Sequence, residues 1–346
     1  MKACIVSGAK DLKLGDVPEP VPGAGEVVVG LGAGGICGSD LHYYQEGGVA
    51  DFRIRQPLVL GHEVAGHVVA IGPGVTRVKA GDRVAVNPNH PCGTCRQCQA
   101  GRRHLCTQVR FFGSAARFPH IQGAFAERFA AAEGNCFVIP PTLSYRAAAC
   151  AEPLAVALHA AGQSGSLLGK TVFVAGSGPI GVLLVAAARL GGAARICVTD
   201  LFDEPLDIAR QMGATEVINV AREPDRLSSL ASDIGGFEVS FEASGHPSGL
   251  SSALAASAPA GTIVQVGMLP RGTSPLALSA LVAREIRLVG SFRFGPEYAT
   301  AIAAIADGRI DVTPMLTHEY AFSDLQAAFA IALDKRRSMK VSLRPD

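Results

Sequence analysis

The sequence predicts an α/β protein in two parts, a β-rich, barrel-like unit and a doubly wound parallel sheet. Three observations carry this prediction. The chain has 346 residues, more than the ~250 to 300 at which a single core stops growing, so two domains are expected. Residues 1–90 alternate short β-rich runs with Gly and Pro turns, as barrels and sandwiches do. From Thr171 the pattern becomes strand, glycine-rich turn, helix, and then repeats in βαβ rhythm, which is how a parallel sheet is written.

Composition narrows the function. The net charge is +1 and the longest basic run is Lys335, Arg336 and Arg337. Phosphate-backbone binding draws on clustered Lys and Arg, so no nucleic-acid partner is expected, and the short run reads as a solvated helix end. MKACIVSGAK lacks both a long apolar core and a cleavage site, and the apolar stretch after Pro179 is broken by Gly181 and Arg189. The expectation is a soluble, cytoplasmic protein with no membrane partner. Nine cysteines, an odd number with four between Cys92 and Cys106, read as metal ligands in a reducing compartment rather than as a disulfide framework.

In the first part, ACIVS, EVVVGLGAGG, VAGHVVAIG and DRVAV read as strands. The Gly and Pro breaks predict no long helix here and leave Cys37 on a loop after a strand. Cys37 and His62 are a soft thiolate and a borderline imidazole, a pair that favours zinc over oxygen-seeking magnesium or calcium. Glu63 and Glu152 can each supply a third ligand, and Cys150, two residues from Glu152, is a rival. A catalytic zinc needs three such ligands and an open fourth position. CGTCRQCQAGRRHLC then gathers Cys92, Cys95, Cys98 and Cys106 within fifteen residues. Four thiolates close a tetrahedron and make a structural zinc site, worth on the order of 10 kcal/mol of folding free energy. Two zinc ions per chain are therefore expected. In RFFGSAARFPHIQGAFAE, Arg110 and Phe111 are candidates to line a pocket.

The second part opens with TVFVAGSGPIGVLLVAAARLGG, where Gly176, Gly178 and Gly181 have the GxGxxG spacing. The first glycine serves a tight turn, the second a close approach of backbone to pyrophosphate, and the third the packing of helix on strand. RICVTD ends in Asp200, nineteen residues after Gly181, close to the ~20 expected of the acid that holds the adenosine ribose. Asp200 repels a 2′-phosphate, and no arginine occurs from 201 to 205, so NAD is expected rather than NADP. EVINV, FEVSFEAS, GTIVQVG and IRLVGSF complete six parallel strands. A helix-prone segment at 298–306 and the terminal KVSLRP then rejoin the first domain.

GICGSD, GHE, the four-cysteine lobe, AEPLAVALHAA and GSGPIG stand in one order. Together they resemble the zinc-containing medium-chain dehydrogenases over essentially the whole chain. The polyol branch is the nearer one, because Glu152 stands in AEP where alcohol enzymes carry a cysteine. Within it, GICGSDLHYYQEGGVADFRIRQPLVLGHE, RFFGSAARFPH and GSFRF look most like the L-idonate 5-dehydrogenase family, which oxidises the C5 hydroxyl of a sugar acid. The resemblance implies a GroES-like catalytic domain at 1–153 and 293–346, with a structural zinc lobe at 90–108, and a Rossmann coenzyme domain at 154–292. It implies a catalytic zinc held by Cys37, His62 and a carboxylate, Glu63 and Glu152 exchanging between ligand and supporting positions. It places Ser39 as the hydroxyl that takes the substrate proton and His42 at the outer end of the relay. It also places Ile180, Val266, Gly267 and Phe292 along the coenzyme, Tyr43 and Arg293 by the substrate, and a dimer or tetramer. A neutral polyol or threonine-type alcohol is the alternative small-molecule substrate. A dinucleotide-binding zinc protein without catalysis is the alternative of another class, and it requires loss of ligands that this chain keeps.

Overall fold

The computed structural model describes residues 1–346. It contains a seven-stranded sheet with the path Cys136–Val138, Arg83–Val86, Glu63–Ile71, Glu26–Gly35, Lys340–Arg344, Leu316–Ala321, and with Arg128–Ala132 also paired to Glu26–Gly35. The central strand EVVVGLGAGG is buried at eight of its ten positions, so it reads as a continuous apolar run rather than as an alternation. The terminal strand joins the sheet directly beside it, with Ser342 opposite Gly35.

The second sheet is parallel, with six strands in the order Glu216–Asn219, Arg195–Asp200, Thr171–Ala175, Phe237–Glu242, Ser257–Gln265, Arg287–Gly290. Numbered along the chain, that order is 3-2-1-4-5-6, the doubly wound arrangement whose switch point lies beside Thr171–Ala175. A core cluster of 41 buried residues runs from Ala65 and Ala85 of the first sheet, through the helix Ala151–Gln163, to Val172 and Val264 of the second. That helix is buried around most of its circumference because it is packed between both systems.

Cys37 does not stand on an open loop; it is the N-cap of a nine-residue helix, Gly38–Glu46. The Asp40 side chain returns to the Cys37 N–H at 3.0 Å, which completes a capping box, and Gly47 ends the helix with φ 66°. Cap chemistry sets this helix more than apolar periodicity does.

Candidate active site

Three neighbouring strands deliver the site from one end of the first sheet. Glu26–Gly35 leads into Cys37, Glu63 opens Glu63–Ile71 opposite Gly35, and Lys340 opens Lys340–Arg344. Gly35 must lack a side chain, since a Cβ there would lie 2.3 Å from Glu63 Oε2. The ligand atoms of Cys37, His62 and Glu63 all lie within 4.8 Å of one another.

The charges around this cluster are buried and layered. Glu63 and Lys340 are 1% and 2% exposed, and the Lys340 ammonium donates to both Glu63 carboxylate oxygens, at 2.7 and 2.9 Å, and to the Ile36 carbonyl at 3.2 Å. Burial alone would pull that ammonium down; the charges of Glu63, Cys37 and Cys150 and the hydrogen bonds to Glu63 hold it above its ordinary value. Burial pushes the Cys37 thiol up to about 12, helped by the Glu63 charge, and the Glu152 carboxyl up to about 8. Asp40, fully buried, is raised by the same cause. Its carboxylate accepts from the N–H groups of Cys37 and Gly61 and lies 3.8 Å from His62 Nδ1.

The donor set fits a zinc ion. A half-buried thiol, an imidazole whose Nδ1 is buried without a hydrogen-bond partner and a raised carboxyl facing them are groups that a cation would satisfy together, releasing protons as it bound. Glu152 does not belong to the tight trio, yet it interacts with His62, Glu63 and Cys37 from the first turn of Ala151–Gln163. Cys150 caps that helix and is buried at 1% exposure.

The wall beside the cluster is aromatic and cationic. The Phe111 ring lies 5.3 Å from the His62 ring, and the Arg293 guanidinium sits 4.5 Å above Phe111 and 4.9 Å from the centre of Phe292. Arg293 adopts φ 54°, an uncommon conformation for a residue with a Cβ. Burial lowers its pKa, opposed by the charges of Glu152 and Tyr43. Tyr43 is buried and its hydroxyl accepts the Ala115 N–H at 2.9 Å. Ser39 is half-buried in the first turn of Gly38–Glu46, and His42 is exposed, its Nδ1 3.1 Å from Glu46. Arg110 is not brought to this wall. It precedes Phe111 on the strand Arg110–Phe111, and successive side chains of a strand point to opposite faces. Its exposed side chain lines a separate pocket with Arg117, Phe118 and His120.

In the lobe, the sulfurs of Cys92, Cys95, Cys98 and Cys106 form a second cluster. Cys106 Sγ lies 3.4 Å from Cys92 Sγ and 3.8 Å from Cys95 Sγ, and no disulfide is present. Backbone N–H groups of Cys92, Cys95 and Gln108 point at these sulfurs at 3.3 to 3.4 Å. The Cys98 and Thr107 N–H groups bring the Cys95 thiol down to about 5. Crowded thiolates with amide donors aimed at them fit a tetrahedral cation.

At the switch point the three glycines differ in surroundings. Gly176 has φ 93° and lies 2.8 Å, measured from an added Cβ, from the Ser244 backbone. Nothing lies within 4 Å of a Cβ on Gly178, which is the N-cap of the helix Pro179–Leu190 and offers no capping side chain. A Cβ on Gly181 would meet the Gly176 carbonyl at 2.0 Å. The result is an open helix N-terminus with free N–H groups, a cradle for a pyrophosphate. Ile180 is half-buried at its first turn, and Val266 and Gly267 follow Ser257–Gln265, their N–H groups donating to the Glu242 carbonyl. Asp200 ends its strand with a full set of donors: Ser177 N–H and hydroxyl on one oxygen at 2.8 and 2.9 Å, Leu201 and Phe202 N–H on the other at 2.7 and 3.3 Å.

Sequence reasoning missed Asp40, Lys340 and Glu242. Asp40, three residues after Cys37, had the capping-box spacing as a signal. Glu242 is buried and binds the Ser244 N–H at 2.8 Å, together with the Gly245 N–H and the Gln265 amide; an acid ending an apolar strand was its only mark. Lys340 had none.

Residues 23–141 match the alcohol dehydrogenase GroES-like domain and residues 179–307 the zinc-binding dehydrogenase family. The chain is 42% identical over 342 residues to L-idonate 5-dehydrogenase (NAD(P)(+)) of Escherichia coli K12, covering 99% of this chain and 98% of that one. It is 37% identical to sorbitol dehydrogenase of Bacillus subtilis 168, covering 100% and 98%. The crystal structure of the Escherichia coli L-idonate 5-dehydrogenase superimposes with a TM-score of 0.94 at 41% identity, covering 99% of this chain and 97% of that one. No helix of the chain is long and apolar enough to cross a membrane.

Proposed function

This chain belongs to the zinc-containing medium-chain dehydrogenases, in their polyol branch, and from that premise we propose that it oxidises L-idonate at C5 to 5-dehydro-D-gluconate. It is an NAD(P)-dependent, zinc-binding oxidoreductase, and its substrate is a small alcohol. The observation that carries the reading is the cluster of half-buried Cys37 with buried His62 and Glu63, flanked by Phe111 and Arg293.

Cys37 and His62 hold the catalytic metal, with Glu63 and Glu152 as its alternating carboxylates. Lys340 holds Glu63 in place through both carboxylate oxygens, and Glu152, outside the trio, would supply the other carboxylate. Bound zinc lowers the pKa of the substrate hydroxyl, and bound nicotinamide accepts the hydride. The buried Asp40 carboxylate faces His62 Nδ1 at 3.8 Å, an electrostatic contact that favours this ring orientation. Ser39, two residues after Cys37, accepts the substrate proton, and exposed His42 passes it to solvent. Tyr43, Phe111 and Arg293 orient the substrate chain, and the Arg293 fork, pre-organised on two rings, is the nearest cation for a carboxylate.

The four lobe cysteines hold a second, structural zinc, giving two per chain. Gly176, Gly178 and Gly181 take the pyrophosphate, Asp200 the adenosine ribose, and Ile180, Val266, Gly267 and Phe292 flank the coenzyme, with NAD preferred. The catalytic domain comprises 1–153 and 293–346, the coenzyme domain 154–292. Nine free cysteines suit the cytoplasm. Exposed Leu278, Val282 and Leu288 beside the edge strand Arg287–Gly290 suit a homo-oligomer, a dimer or tetramer.

A neutral polyol is the second reading, favoured by one observation: Arg110 faces away, so Arg293 alone serves a substrate carboxylate. NAD⁺-reduction rates across L-idonate, L-iditol, sorbitol, D-gluconate and threonine test both. A kcat/KM highest for L-idonate supports the sugar acid, and one highest for sorbitol or L-iditol rejects it.

A further inference from the structure

The basic run Lys335, Arg336 and Arg337 is exposed, and none of its side chains makes an ion pair. It is not merely a solvated helix end. The turn that follows the helix Leu325–Ala332 carries Arg336 onto the coenzyme sheet, where its guanidinium lies 4.7 Å from the centre of the Phe202 ring. Phe202 is two residues beyond Asp200, and its N–H is one of the donors to the Asp200 carboxylate.

Two of the acids near this ring are already engaged, and a third, Glu204, is exposed and makes no ion pair with Arg336. Asp200 accepts four hydrogen bonds from the chain itself, and Asp203 is bound by Arg222 at 2.6 Å and by the Asn219 amide at 2.9 Å. Arg336 therefore stands at the ribose edge of the coenzyme cleft with its planar fork unpaired, held on an aromatic face that limits the rotamers it would otherwise sample. A free guanidinium of this kind matches one ligand chemistry at this place, a phosphate monoester on the ribose 2′ position.

We propose that Arg336 is the 2′-phosphate contact of this enzyme, through which it accepts NADP⁺ as well as NAD⁺. The carboxylate of Asp200 repels a 2′-phosphate, but its charge is shared among four donors, and the guanidinium held on Phe202 offsets it. The required cation is absent from residues 201–205 because it is supplied by the other end of the chain. The inference rests on the assignment of the coenzyme site to the glycine turn and Asp200.

The test uses the full-length, zinc-loaded chain and two coenzyme fragments, 5′-AMP and 2′,5′-ADP, titrated calorimetrically, with NADH and NADPH fluorescence titrations alongside. Arg336→Met keeps an apolar cover on Phe202 and removes the fork; Arg337→Met is the control for loss of general positive charge. Arg336→Met should weaken 2′,5′-ADP and NADPH roughly tenfold or more, the range for a hydrogen bond to a charged group. It should leave 5′-AMP and NADH within about twofold, Arg337→Met should change neither markedly, and Arg336→Lys should recover part of the loss. An unchanged 2′,5′-ADP affinity overturns the inference, as does an equal loss on both fragments, or an Arg337→Met loss as large as that of Arg336→Met. Wild-type binding of 5′-AMP without 2′,5′-ADP rejects Arg336 but keeps the coenzyme site. Wild-type binding of neither fragment rejects the coenzyme site and the inference with it.

Discussion

Replacing Lys340 by Met should destabilise the protein by an amount set by how Glu63 loses its partner. The wild-type contact is two hydrogen bonds of 2.7 and 2.9 Å between groups no more than 2% exposed. Removing one member of such a pair typically costs about 3 to 5 kcal/mol. Protonation limits that cost in the variant: neutralising a carboxylate of ordinary pKa about 4.3 at about pH 7 takes about 2.7 units, or about 3.7 kcal/mol. The loss should therefore be about 3 to 4 kcal/mol near pH 7 and shrink to about 1 kcal/mol near pH 5, because the variant folds with a neutral Glu63. A carboxyl raised in the folded variant penalises folding above its unfolded value and ceases to do so as pH falls toward that value. Lys340→Met with Glu63→Gln should recover most of the loss, since no charge is then left unpaired. Added zinc should reduce the single-variant loss by taking over the carboxylate. Urea unfolding at several pH values, with zinc absent and with zinc added, measures all of these. A loss below about 1 kcal/mol near pH 7, or one independent of pH, or a double variant as unstable as the single, would refute the ion pair as the support of Glu63.

Cys37→Ser should abolish turnover in a folded protein that keeps one zinc, whereas Cys98→Ser should impair folding; metal analysis finding only one zinc in active wild-type protein would reject that division. Arg110→Ala should leave kcat/KM for both L-idonate and L-iditol within about twofold, the scale of an exposed charge, and a loss confined to L-idonate would bring Arg110 back to the substrate. Glu133 accepts the N–H groups of Arg77 and Thr76 at 2.7 and 2.8 Å, which hold its carboxyl below its ordinary value. Its stabilisation is thus present above the unfolded carboxylate value and lost as pH falls through the folded one. Glu133→Gln should lower Tm at neutral pH and converge with wild type in acid; a constant Tm difference would show that charge is not what those amides recognise.

By itself the sequence determined whatever depends on short spacing. The four lobe thiols, the glycine turn and the acid ending the second coenzyme strand are each written within about twenty residues, because one turn or one βα unit brings them together. Cys37 and His62 were legible as candidate ligands from their chemistry, although the helix behind Cys37 was not, since a cap and not an apolar stripe defines it. Only the tertiary structure decided which charges meet. Lys340 reaches Glu63 across 277 positions because the last strand enters beside the central one. Arg336 reaches Phe202 because the turn before that strand crosses to the other sheet, and Phe111 faces His62 while Arg110 does not because a strand alternates its faces. No local pattern encodes these pairings: charge complementarity selects a partner only after backbone hydrogen bonding has fixed which strand ends are neighbours.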